Sequence, residues 1–202
     1  MITTRHHSFA RLLFAPYLRY LFRKHFHRLN IPASVEGLEQ GKSVLLIANH
    51  FSWWDGFFWY QANKLVFRKN FHIMMLEEQL ERFWFFKYLG AFSVKKNSRS
   101  MLESLEYAAD LLQQPDNLVV IFPQGEIEVP WIRQMNMGKG AEHIWKKAQA
   151  KAQLVFGVVL THYGAEPKPT ATFYMQLAQK TTAFADYYHK VLQQAETDLR
   201  EE

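Results

Sequence analysis

Lys42-Ser43-Val44-Leu45-Leu46-Ile47-Ala48-Asn49-His50-Phe51-Ser52-Trp53-Trp54-Asp55 is the stretch on which the fold turns. Its first half is a short, partly β-branched apolar run bounded by polar residues, the pattern of a strand buried on both faces. Such a strand ends at the open edge where α/β sheets place their sites, and here that end carries a histidine. Neutral imidazole can take a proton from a hydroxyl, and a carboxylate on its other nitrogen fixes the tautomer and stabilises the imidazolium. Asp55 is placed to be that carboxylate. Five residues apart on one continuous helix the two would point about 140° away from each other, so they meet only across a strand-to-helix turn. The same residues admit a second reading: Ser52-x-x-Asp55 fits a capping box that opens a helix into Gly56-Phe57-Phe58-Trp59-Tyr60, and His50 is then a loop residue.

Further along, Asn117-Leu118-Val119-Val120-Ile121-Phe122 reads as another strand and runs straight into Pro123-Gln124-Gly125-Glu126. The two blocks together resemble the glycerolipid acyltransferase family of the lysophosphatidic acid acyltransferase type. That family carries Asn-His-x4-Asp after one strand, a Gly-x-x-Phe-Ile-x-Arg-like block, and Phe-Pro-Glu-Gly-Thr-Arg after a later strand. The counterparts here are Asn49 to Asp55, Gly90-Ala91-Phe92-Ser93-Val94-Lys95-Lys96, and Phe122 to Ile127, followed by a family-like Lys139-Gly140-Ala141 and the apolar strand Leu154 to Leu160. The likeness spans roughly residues 32 to 165. It implies that His50 and Asp55 are catalytic and that Asn49, Lys96, Arg99, Phe122, Pro123, Gln124, Gly125 and Glu126 bind substrate. Four polar positions of the pattern are replaced: Gln124 for Glu, Glu126 for Thr, Ile127 for Arg, and Lys96 for the Arg of the second block. The family's arginines are associated with the acceptor's phosphate, which a planar guanidinium grips in pairs of bonds. Lysine is only a point charge, and isoleucine supplies nothing.

With 202 residues, 49% of them hydrophobic, the chain has the length and apolar content of one domain with a sizeable core. The absence of cysteine excludes disulfides, thiolate nucleophiles and thiolate metal sites. The net charge of +5 is distributed unevenly: residues 1 to 30 hold Arg5, Arg11, Arg19, Arg23, Lys24 and Arg28 with no acid, so the remainder is close to neutral at −1. Within that segment Phe9, Leu12, Leu13, Tyr17, Tyr20 and Leu21 span a broad arc opposite Arg11 and Arg19. It is too short and too charged to span a bilayer, where about 20 apolar residues are needed, yet suited to lie in a membrane interface, with each basic residue near anionic lipid contributing about 1 kcal/mol. The alternative is a helix packed on the domain with solvated arginines. A sequence pI of about 9.3 suggests nucleic acid, but the near-neutral body of the chain argues against it. P-loop, dinucleotide glycine, Gly-x-Ser-x-Gly and His-Glu-x-x-His motifs are missing, and neither metal nor cofactor is expected.

The expected fold is α/β: a single mixed, mostly parallel sheet flanked by helices and preceded by a basic amphipathic helix. Residues 1–30 are the expected membrane-interface segment and 31–202 the acyltransferase domain. The expected elements are helix 8–29, strands 33–37 and 43–48, helix 55–69, strand 71–76, helix 77–88, strand 91–94, helix 99–114, strand 117–122, helix 139–150, strands 153–160 and 170–177, and helix 179–200. The aromatic stretches Phe57 to Tyr60 and Phe83 to Tyr88 read as core. The long loop from Glu126 to Gly138, with Glu128, Pro130, Trp131 and Arg133, is a candidate to shape the acceptor site.

The function implied is a membrane-associated O-acyltransferase of phospholipid biosynthesis, peripheral or monotopic on the cytoplasmic face. It would move a fatty acyl group from a thioester, acyl-CoA or an acyl carrier protein, to a lysophospholipid or other lipid-like hydroxyl at an anionic membrane surface. Two alternatives stand beside it: an acyltransferase for a non-phosphate acceptor such as a glycolipid, and a catalytically lapsed, membrane-docked binding protein.

Overall fold

A computed structural model of the chain describes residues 1–95, 100–130, 132, 138–178 and 183–201. Its elements follow in the order α1 (Ser8–His25), β1 (Arg28–Asn30), β2 (Ser43–Ala48), α2 (Asp55–Ala62), β3 (Asn70–Leu76), α3 (Glu77–Arg82), β4 (Ala91–Val94), α4 (Ser100–Leu111), β5 (Asn117–Ile121), α5 (Gly140–Ala148), β6 (Ala152–His162), β7 (Thr170–Leu177) and α6 (Phe184–Glu201). A π-helical turn over Asn63–Phe67 follows α2, and a 3-10 helix over Trp84–Leu89 follows α3.

The strands form one sheet in the order β1-β7-β6-β2-β5-β3-β4. β6, β2, β5, β3 and β4 run parallel, whereas β7 is antiparallel to β6 and carries β1 alongside it. Strand β2 is buried along its whole length because its side chains alternate between two cores. Val44, Leu46 and Ala48 join Phe22, Phe58 and Trp59 on the face covered by α1 and α2. Leu45 and Ile47 join Leu105, Ile144 and Tyr188 on the face covered by α4, α5 and α6. The chain leaves β2 towards β3 through α2, and leaves β5 through α5 to reach β6 on the other side of β2. The carboxyl end of β2 is thus the point where the winding reverses, which opens a crevice there.

The mostly parallel sheet and the helix preceding it agree with the sequence expectation; several boundaries differ. Helix α1 ends at His25, where Phe26 turns extended, instead of running to 29. No strand forms at 33–37; the short edge strand lies at Arg28–Asn30, where β7 offers a partner. The helix expected over 55–69 gives way to the π turn, closed by Arg68 at φ 56°, and the one over 77–88 breaks at Phe83. Aromatic residues of the two stretches also divide. Phe57, Phe58, Trp59 and Tyr60 are core, but Trp84 and Phe85 stand 59% and 40% exposed.

Helix α1 packs on the domain through Leu18 and Phe22, and Phe26 just beyond it is buried too. Its other face leaves Phe9, Leu12, Leu13, Tyr17 and Tyr20 exposed. Ahead of it, residues 1–7 run along the outer edge of β4. The Ser93 N–H donates to Ile2 O (2.8 Å), and the N–H groups of Arg5 and His7 donate to the carbonyls of Lys87 and Tyr88.

Candidate active site

His50 leaves the end of β2 with its backbone fixed on several sides. The preceding Asn49 is fully buried, and its side-chain amide closes a two-way bridge to β6, donating to Val159 O (3.0 Å) and accepting from Val159 N–H (2.7 Å). Asn49, expected to meet substrate, uses its amide to hold the loop. The His50 N–H donates to Oε1 of Gln124 (2.5 Å), and the Glu128 N–H donates to the His50 carbonyl (2.9 Å). The imidazole lies flat on Phe122, with ring centroids 4.3 Å apart and planes 10° from parallel.

Asp55 begins α2, and its side chain points back across the turn. Its Oδ2 lies 3.0 Å from His50 Nδ1 and also accepts the N–H groups of Phe51 (2.7 Å) and Ser52 (2.9 Å). Oδ1 accepts the Ser52 hydroxyl (2.8 Å), which in turn accepts the Trp54 N–H (3.1 Å). The two readings of this motif therefore coexist, since Ser52 and Asp55 tie up the start of the helix while the same carboxylate holds the histidine. A carboxylate only accepts, so Nδ1 must carry the proton and Nε2 is left with its lone pair. The Asp55 side chain is 3% exposed and that of His50 is 23% exposed, so the carboxylate is shielded while the imidazole edge reaches solvent.

The block after β5 turns at Gly125, whose φ of 70° suits a residue without Cβ. Its N–H closes the turn on Phe122 O (3.1 Å), so it is already engaged and does not offer itself to an oxyanion. Pro123 and Gln124 are buried and Glu126 is exposed. The structure thus brings His50, Asp55, Phe122 and Gln124 together, while Lys96, Arg99, Trp131 and Arg133 lie outside the described residues.

Two contacts were not foreseen in the sequence, where Glu128 was expected only as part of the acceptor loop and Tyr188 not at all. Glu128 bonds the Nε2 amide of Gln124 through Oε2, besides donating its N–H to His50. Tyr188 of α6 packs its ring on Phe51 (5.6 Å between centroids) and donates its hydroxyl to Pro130 O (2.8 Å). Burial, with the Glu128 carboxylate adding to it, pushes the Tyr188 phenol up to about 12, so it remains a donor. A Glu two residues beyond a turn is a weak signal, and a residue from a helix some 60 positions on has none.

An imidazole oriented by a buried carboxylate, at the carboxyl end of a central strand, is equipped to take a proton from a hydroxyl. The fold resembles that of the 1-acyl-sn-glycerophosphate (LPA) acyltransferase PlsC from Thermotoga maritima, with a TM-score of 0.57 over 92% of this chain and 77% of that one, at 14% identity. No curated protein matches the chain. A family model described as Acyltransferase matches residues 30–160. That span is more than half of the chain and contains β2 with His50 and β5 with its turn, so the protein belongs to the acyltransferase family.

Proposed function

We propose that this protein is a membrane-associated O-acyltransferase that moves a fatty acyl group from acyl-CoA or an acyl carrier protein to a lysophospholipid or other lipid-like hydroxyl. The observation that carries the reading is the 3.0 Å contact between His50 Nδ1 and Asp55 Oδ2, which presents Nε2 as a base. In this mechanism Nε2 takes the acceptor's hydroxyl proton as the oxygen attacks the thioester carbonyl. The tetrahedral intermediate then expels the thiolate, which collects the proton, giving an ester and a free thiol. A thiol pKa near 8.5 makes this leaving group undemanding, and no acyl-enzyme is needed. Asp55 keeps the tautomer and offsets the charge on the imidazolium.

Membrane association is supported by exposed apolar and aromatic side chains on α1 and the 3-10 helix. Exposed Phe9, Leu12, Leu13, Tyr17 and Tyr20 on α1 neighbour exposed Trp84 and Phe85, with Phe85 lining the same groove as Ala10, Leu13, Phe14 and Tyr17. Trp53, 56% exposed and three residues from His50, packs on the buried Phe57, whose ring also touches Phe14 and Phe86. Apolar patches of this kind mark docking surfaces. Among the described residues no helix is long and apolar enough to cross a membrane. The test is transfer itself: purified protein, palmitoyl-CoA and a panel of lipid alcohols on anionic vesicles, with products identified by mass spectrometry. Failure to form any acylated lipid, with donor thioester intact, would leave the membrane-docked binding role in its place.

A further inference from the structure

We infer that Glu128 is a positioning residue for His50, acting through Gln124, and that the two side chains form a matched pair. This rests on the reading of His50 as the base. The peptide of His50 is held at both ends by one short segment: Gln124 Oε1 takes its N–H, and the Glu128 N–H meets its carbonyl. Around Glu128 the backbone alternates, leaving Glu126, Ile127 and Val129 exposed while Glu128 and Pro130 turn inward. Turned in, the Glu128 carboxylate accepts from Gln124 Nε2, and the next inward residue is tied to α6 through the Tyr188 hydroxyl.

The chemistry of an amide is required at position 124. Gln124 must accept from a backbone N–H with one atom and donate to a carboxylate with another, and a primary amide does both. An ionised carboxylate there would still accept the His50 N–H but would face Glu128 with like charge and no proton between them. A carboxylate at 128 and an amide at 124 therefore belong together, and exchanging them preserves both bonds. The departure from the acyltransferase pattern at Gln124 is thus coupled to Glu128, and neither substitutes well alone.

The experiment measures palmitoyl-CoA thiol release with lysophosphatidate and with monoolein as acceptors, alongside thermal melts and amide hydrogen exchange at the His50 N–H. Gln124→Glu is expected to lower kcat ten- to hundredfold with KM within about threefold, the scale of a small misplacement of a reacting group. Gln124→Glu combined with Glu128→Gln is expected to recover at least about tenfold of that loss and restore slow exchange at His50. Glu128→Ala, which adds no charge and lies at a half-buried loop position, is expected to show the same kcat loss with a near wild-type melt. Gln124→Glu within about threefold of wild type, or no recovery on exchange of two folded proteins, overturns the pairing. Should Gln124→Glu fail to fold, wild-type kcat and exchange in Glu128→Ala overturn it equally. His50→Ala on the same samples separates the two inferences: if it retains transfer the base assignment fails, whereas the exchange data still judge the clamp.

Discussion

Oδ2 of Asp55 takes the Nδ1–H of His50 at 3.0 Å while also receiving two backbone N–H groups from the turn between them. Orientation of the base and closure of the helix start are thus the work of one oxygen. His50→Ala should abolish transfer, a loss of roughly 10²–10⁴-fold, and leave the melt almost unchanged because the imidazole sits at the rim. Asp55→Asn should be crippled in rate and lose about 1–3 kcal/mol as well, since one amide cannot satisfy all those donors. Rate and urea stability measured on the same preparations check both. Near wild-type transfer by folded His50→Ala would sink the assignment.

Gly157 faces the indole of Trp59, and a Cβ placed there would come 2.4 Å from the ring. Trp59 is fully buried and has no room to retreat. Gly157→Ala should cost about 1–3 kcal/mol or more through overpacking. Because the Asn49 N–H donates to Gly157 O, the strain should reach the site and lower kcat in parallel with the urea midpoint. An unchanged midpoint would mean that α2 shifts freely on the sheet.

Vesicle binding should depend on exposed side chains of α1 and of the 3-10 helix. Leu12→Ser, Leu13→Ser and Trp84→Ser together should reduce sedimentation with anionic vesicles several-fold, each apolar side chain withdrawn from water being worth roughly 1.5–3 kcal/mol. All three residues are more than half exposed, so the melt should hold. Undiminished pelleting would assign docking to another surface. Truncation of the whole segment is a poorer test, because Leu18, Phe22 and Phe26 would leave the core with it.

His72 on β3 packs edge-on against His6, with ring centroids 4.7 Å apart. Burial pushes its pKa down from 6.5 to about 4; the Asn117 amide offsets part of this, and the Arg11 charge adds to it. The unfolded chain therefore binds the proton near pH 6.5 and the folded one only near 4, so stability falls as pH drops through that window. The full loss is on the order of 3 kcal/mol. His6, held down from 6.5 to about 3 chiefly by burial and then by Arg11, adds a slope of the same sign. Thermal melts from pH 7 to 4 should therefore show the summed slope, and His72→Phe should make it shallower without removing it; an equal slope in the variant would place the titration elsewhere.

Apolar runs made most of this architecture readable in the sequence. Val44 to Ala48, Leu118 to Ile121 and Val155 to Val159 are buried on both faces, so composition alone marks them as central strands. The pairing of His50 with Asp55 was legible for a similar reason, because it needs only a local turn. Edges and breaks were harder. The short strand at Arg28–Asn30 exists because β7 lies beside it, and the π turn after Ala62 depends on the left-handed Arg68. Trp84 and Trp59 are chemically alike, yet one is exposed and the other enclosed, a difference set by what the sheet puts opposite them. The Gln124 and Glu128 pair was illegible for the deeper reason that its meaning lies in a third residue, the His50 peptide.

The segment ahead of α1 has a colloidal consequence. Open strand edges invite one molecule to extend another's sheet. Here β4 has its outer side taken by Ile2 at Ser93, and the opposite edge, β1, is only three residues long. Stickiness is thereby confined to side chains, and the backbone offers little for a neighbour to polymerise upon.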